Sequence, residues 1–166
     1  MTISADTPLR PSWRFVLSHH AHFFAFGFGS GLSPFAPGTA GTLVAFPVFW
    51  LMQRWLQPSA FLVVLALMFV LGIWFCAKAG RILGVADHGG IVWDEIVAFL
   101  LVLFFLPPAW LWWLAGFLLF RLFDIWKPFP IRYFDAKLKN GFGVMFDDLL
   151  AAGYALAIME TAIWLM

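Results

Sequence analysis

The chain has 166 residues, 63% of them hydrophobic and only 11% charged, with a mean hydropathy of +0.91. Soluble domains carry about 25% charged residues, so this composition excludes an ordinary water-soluble domain and predicts a one-domain integral membrane protein. A net charge of +1 gives no basic surface for nucleic acid, and a lone cysteine, Cys76, excludes an intrachain disulfide.

Met1 to Ser18 is mixed and polar, with Arg10 and Arg14 ahead of the first apolar run. It lacks the basic, apolar and small-residue order of a cleaved signal peptide. Residues 1–20 are therefore read as a cytoplasmic N-terminal segment and residues 21–166 as a single membrane domain. His19, His20 and His22 read as an interfacial helix turn rather than a metal tract, since no second ligand cluster stands at helix spacing nearby.

Gly27 to Thr42, GFGSGLSPFAPGTAGT, holds five glycines and two prolines and is not expected to form a regular helix. Thr39 and Thr42 are good N-cap types before the apolar run Leu43 to Met52. Such a loop is either an anion cradle at a helix N-terminus or a tight connector. It is not a Walker A loop, because no Gly-Lys-Ser/Thr follows.

Leu43 to Met52, interrupted by Pro47, and the longer Phe61 to Ala77 make a first apolar hairpin around Arg54, Gln57 and Pro58. Lys78 and Arg81 follow, then a loop through Gly84 and Ala86 to Gly90. Asp94 and Glu95 open the run Ile96 to Leu106, Pro107 and Pro108 break it, and Ala109 to Phe123 completes a second hairpin. Arg121, Asp124 and Lys127 recur every three residues, which places them on one face if the helix continues. Pro130 to Asn140 is polar and interfacial, Asp147 and Asp148 follow, and a final helix is expected from Leu149 to Met166. The fold class is thus all-α: a polytopic membrane bundle of five to seven helices, with two apolar hairpins and a final helix.

With the N-terminus inside, Arg10, Arg14, Lys78, Arg81, Arg121, Lys127, Arg132, Lys137 and Lys139 fall on one side and only Arg54 on the other. This asymmetry predicts a cytoplasmic N-terminus and gathers the polar loops, with both acidic pairs, on the cytoplasmic face. Acidic groups near a bilayer are costly and point to function. Oxygen donors without cysteine favour Mg2+ over zinc or copper. Cations beside them match the needs of phosphoryl transfer, where a metal polarises the phosphoryl group and positive groups stabilise charge developing on oxygen. The bland alternative is acidic residues placed at helix N-termini by the macrodipole alone. Asp87, Asp135 and Glu160 are read as solvated or interfacial.

Four strings carry a resemblance: GFGSGLSPFAPGTAGT, DHGGIVWDE, FRLFDIWKPFPIRYFD and GFGVMFDDLLAAG. Together, over about Ala21 to Gly153, the chain resembles phosphatidylglycerophosphatase A, a lipid phosphatase of the bacterial inner membrane. The resemblance implies Mg2+-dependent hydrolysis of phosphatidylglycerophosphate to phosphatidylglycerol and phosphate, with bilayer lipid around the enzyme and the active site facing the cytoplasm. It implies metal ligation by Glu95, Asp124, Asp147 and Asp148, with Asp94, Glu95, Asp148 and His88 in catalytic roles. Ser33, Gly38, Thr39, Arg121, Lys127 and Arg132 match its phosphate-binding positions, and His22 also matches the pattern. A homo-oligomer is compatible with this reading. The alternatives are a small membrane transporter, a membrane scaffold, or a phosphatase of another lipid phosphate.

Overall fold

The computed structural model describes residues 11–165. Residues 1–10 and 166, and with them Arg10 and the first half of the expected N-terminal segment, lie outside the described residues. The elements are α1 (Trp13–Leu17), α2 (His20–Ala25), a 3-10 segment (Gly27–Leu32), α3 (Pro37–Trp55), α4 (Pro58–Leu83), α5 (Trp93–Phe105), α6 (Trp110–Trp126), α7 (Ile131–Lys137) and α8 (Gly141–Leu165). Among the described residues there is no strand. Two helices, α4 and α8, are long and apolar enough to cross a membrane.

Several boundaries differ from the sequence expectation, each for a local reason. The glycine-rich stretch does not stay a loop up to Thr42. Ala36 adopts a left-handed turn and Pro37 starts α3, so Gly38, Thr39, Gly41 and Thr42 are helical and neither threonine is an N-cap. Proline suits a first helical position because its fixed φ is already helical and it has no N–H to leave unpaired. Pro47 is carried inside α3. The last helix begins at Gly141 rather than Leu149, with the Asn140 side chain accepting a bond from the Gly143 N–H at 2.9 Å. The polar segment after Pro130 contains a helix of its own, α7.

α5 is the central element. Ile96, Phe99, Leu100, Val102 and Leu103 are completely buried, and α3, α4 and α8 pack around it. At 13 residues it is about 20 Å long, shorter than a hydrocarbon core of about 30 Å. The expected hairpin of α3 and α4 is one in connection only: its arms hardly touch, α3 lying on α5 and α4 on α8 and α2. Lipid tails are as apolar as leucine, so helices in a bilayer gain little from burying apolar surface and associate through close fit instead. Gly141 provides such a fit, since a Cβ there would collide with the Ile73 carbonyl of α4. Outward faces carry Trp50, Leu67, Leu118 and Ile125, all exposed, as a lipid-facing surface requires.

Candidate metal and phosphate site

The N-terminal parts of α3, α5 and α8 meet the C-terminal part of α6 at one end of the bundle, and the charged side chains collect there. Glu95 stands in the first turn of α5, Asp124 in the last turn of α6 and Asp148 two turns into α8. One carboxylate oxygen of each lies within 4.8 Å of the other two. Arg121, one turn before Asp124, holds two of them: its Nη1 is 2.9 Å from Glu95 Oε1 and 2.6 Å from Asp124 Oδ2. Thr42 is buried and steadies the guanidinium, accepting from Arg121 Nη1 at 3.3 Å while donating to the Gly38 carbonyl at 2.9 Å.

The glycines of α3 make room for this group. A Cβ at Gly38 would collide with Glu95 Oε1 and crowd Arg121 Nη2, and one at Gly41 would press on Val92 and on Glu95 Oε2. Their role in the structure is close approach of a helix to charged side chains. The glycine-rich stretch runs into the N-terminus of α3 at Pro37 rather than at Thr42.

Glu95 Oε2 and Asp148 Oδ2 are buried and have no hydrogen-bond partner. An unsatisfied buried acceptor costs about 1–3 kcal/mol, and more when charged. Three carboxylates facing one guanidinium leave a formal charge of −2. A divalent cation answers both demands, and an all-oxygen donor set suits hard Mg2+. Glu95, Asp124 and Asp148 therefore fit such an ion.

The neighbours of these ligand candidates are turned elsewhere. Asp147 is ion-paired with Lys127 Nζ, and its Oδ1 accepts from the Asp148 N–H at 3.1 Å, so it stands outside the carboxylate trio. Asp94 is buried with Oδ1 unpartnered. The single basic face expected for Arg121, Asp124 and Lys127 is divided, because α6 ends at Trp126 and Lys127 takes a left-handed conformation that sends it to α7 and α8. Its ammonium also lies 3.3 Å from Asp135 Oδ1, which Lys139 approaches at 3.4 Å. Burial alone would lower the Lys127 pKa, but the Asp147 and Asp135 carboxylates outweigh it and raise the value well above the ordinary one. Burial would raise Asp135, yet Lys127 and then Lys139 pull its carboxyl below the usual range.

Other expected positions lie apart from the trio. His88 Nδ1 accepts from the Gly90 N–H of its own loop at 3.0 Å, and its ring leans toward Phe26. Ser33 bonds the Phe35 carbonyl at 2.8 Å, and Thr39 is half-buried on α3 near Gly38. Arg132 is exposed and lines an open groove of about 560 Å3 with Trp126, Lys127, Pro128, Phe129 and Tyr133. His22 is buried and stacked on Phe15 at 4.4 Å, a packing role. Sequence reasoning missed Thr42 as the Arg121 anchor and Asp135 as the second partner of Lys127. A helix start at Pro37 was the available signal for Thr42, since it places Gly38 and Thr42 one turn apart on a single face.

The family model for phosphatidylglycerophosphatase A matches residues 23–163. The phosphatidylglycerophosphatase A of Haemophilus influenzae is 49% identical over 154 residues, covering 92% of this chain and 94% of its own length. That of Escherichia coli is 42% identical over 147 residues, covering 88% of this chain and 85% of its own. A protein of Bacteroides thetaiotaomicron, provisionally named a phosphatidylinositol-3-phosphatase, is 41% identical over 148 residues, covering 84% of this chain and 91% of its own. No solved structure matches the chain. With charged side chains of α5, α6 and α8 drawn to one end of a helical bundle, and a family match across most of its length, this chain belongs to the phosphatidylglycerophosphatase A family.

Proposed function

We propose that the protein is a lipid phosphatase that hydrolyses phosphatidylglycerophosphate to phosphatidylglycerol and inorganic phosphate, using Mg2+ at the bundle end formed by Glu95, Asp124 and Asp148. The observation that carries the metal reading is the pair of buried, unpartnered oxygens Glu95 Oε2 and Asp148 Oδ2 beside the Arg121 pairs. The substrate follows from the family and from the names of the two relatives at 49% and 42% identity.

Mg2+ supplies Lewis-acid polarisation of the phosphoryl group when bound. Arg121 sets the angles of Glu95 and Asp124 and brings its positive charge beside the carboxylates, where it can offset charge developing on phosphoryl oxygens. Lys127, anchored by Asp147, adds positive charge at the rim. A water attacks phosphorus, the P–O bond to glycerol breaks, and the attacking water's proton passes to a carboxylate outside the trio. Asp94, with its buried unpartnered oxygen, is the candidate. The leaving glycerol oxygen gains a proton from solvent at the interface. No serine or cysteine nucleophile is used; Cys76 is buried in the core away from solvent.

The lysine and arginine asymmetry of the loops supports a bacterial inner-membrane enzyme with this end in the cytoplasm. Phosphate release from phosphatidylglycerophosphate by purified protein in detergent tests the reading. Activity lost in EDTA and restored by Mg2+ is expected; turnover indifferent to chelation would sink the metal assignment. The Bacteroides relative supports a second reading, a phosphatase of another lipid phosphate, and the same assay run across phosphorylated lipids separates the two.

A further inference from the structure

The proposed substrate carries two phosphates: the terminal monoester that is hydrolysed, and an inner diester one glycerol away that remains in the product. The carboxylate trio and Arg121 answer the first. We infer that the groove lined by Trp126, Lys127, Pro128, Phe129, Arg132 and Tyr133 is the subsite for the inner diester, with Arg132 as the specificity-determining residue that binds it. This rests on the proposed lipid phosphatase activity.

Position is the first reason. Lys127 forms part of the groove wall while its ammonium is paired with Asp147, the neighbour of Asp148, so one ion pair links the groove to the helix that carries a member of the trio. Charge is the second. The other cations of this region are engaged: Lys127 by Asp147 and Asp135, Lys139 by Asp135, and Lys137 over the Tyr133 ring at 4.6 Å. Arg132 is exposed and makes no ion pair among the described residues. A guanidinium without a carboxylate partner beside a phosphoryl site is a ready binder for a phosphodiester, whose two free oxygens it can engage together.

The groove's other walls give the third reason. Trp126 and Phe129 are among the most exposed large side chains, and Tyr133 is exposed beside them. Aromatic rings of this kind settle at the level of lipid headgroups. They would hold the glycerol and the first carbons of the acyl chains where the diester reaches Arg132. A lipid with a single phosphate joined directly to diacylglycerol places no anion in this groove while its phosphate is at the trio. Arg132 thereby favours a two-phosphate lipid over phosphatidic acid.

The test uses purified full-length protein in detergent, comparing wild type with Arg132→Ala and Arg132→Lys, and with Arg81→Ala as a cation outside the groove. Short-chain phosphatidylglycerol keeps the diester and lacks the monoester, so its affinity measured by calorimetry reports the subsite without turnover. Arg132→Ala should weaken phosphatidylglycerol binding about tenfold, as expected for loss of a charge-assisted contact, with Arg132→Lys intermediate and Arg81→Ala unchanged. In kinetics, KM for phosphatidylglycerophosphate should rise by a similar factor with kcat nearly retained, while competitive inhibition by inorganic phosphate stays as in wild type. Unchanged phosphatidylglycerol affinity in Arg132→Ala, an equal weakening of phosphate inhibition, or a loss in Arg81→Ala instead would each overturn the subsite. Wild type that binds phosphatidylglycerol through Arg132 yet releases no phosphate from phosphatidylglycerophosphate would refute the proposed activity and leave the diester site standing.

Discussion

The two acidic pairs of this protein look alike in sequence and are treated alike by the fold. In Asp94-Glu95 and in Asp147-Asp148, one member joins Asp124 at the carboxylate trio and the other does not. Adjacent helical residues point about 100° apart, so two neighbours on one helix start out toward different surroundings. Glu95 and Asp148 face the trio; Asp147 turns to Lys127, and Asp94 is buried with an unpartnered oxygen. The pairs differ in what surrounds the outward member. Asp147 has a cation to neutralise it, whereas Asp94 has none among the described contacts. Macrodipole placement does not account for the Asp147-Asp148 pair, since Asp148 stands two turns inside α8 and the dipole effect fades within the first turn; Asp94 and Glu95 do stand in the first turn of α5.

Glu95→Gln and Asp148→Asn break the trio itself. Each should lower kcat by about 10^3-fold or more, because the ion and the charge it neutralises go together, while detergent extraction and far-UV spectra stay as in wild type. Steady-state phosphate release checks this, and wild-type rates from either variant would remove that residue from the metal site. Gly38→Ala leaves every charge in place but sets a Cβ against Glu95 and Arg121. A displacement of that kind is expected to cost about 10^2-fold in kcat, and a variant as active as wild type would show that the close approach of α3 does not position the carboxylates.

Asp147→Asn sharpens the contrast within its pair. It releases Lys127 without touching the trio, so a loss of about tenfold is expected, the scale of one charge-assisted contact. A loss as deep as that of Asp148→Asn would instead put Asp147 among the ligands. The smallest effect concerns Asp135, whose carboxyl Lys127 and Lys139 hold below its usual range despite partial burial. A depressed folded-state pKa contributes stability above the ordinary carboxylate value and loses it as pH falls through the folded one. Asp135→Asn should therefore lower the thermal midpoint slightly at neutral pH, and the difference from wild type should shrink on acidification; a gap that widens toward acid pH contradicts the Lys127 contact.

Much of the site was legible because charges are rare in this chain. Asp94, Glu95, Asp124, Asp147 and Asp148 could be singled out by their position at the edges of apolar runs, where an ionised group needs a reason. What could not be read was which member of each pair faces inward. That depends on where a helix begins: α8 starting at Gly141 rather than Leu149 changes Asp147 and Asp148 from capping residues into interior ones with fixed directions. The start of α3 likewise turns Gly38 and Thr42 from loop and cap into the wall behind Arg121.

The sequence by itself determined the solvent, the helical class and the chemical inventory, since hydropathy and residue type are properties of composition and local order. Only the tertiary structure decided the assignments within that inventory. Glu95, Asp124 and Asp148 come from helices distant in the chain, and whether their oxygens meet depends on helix rotation and crossing. The separation of Lys127 from Arg121 has the same origin, a left-handed residue at a helix end that redirects one cation toward another helix. Periodicity measures spacing along one helix; it holds no information about how that helix is turned against its neighbours.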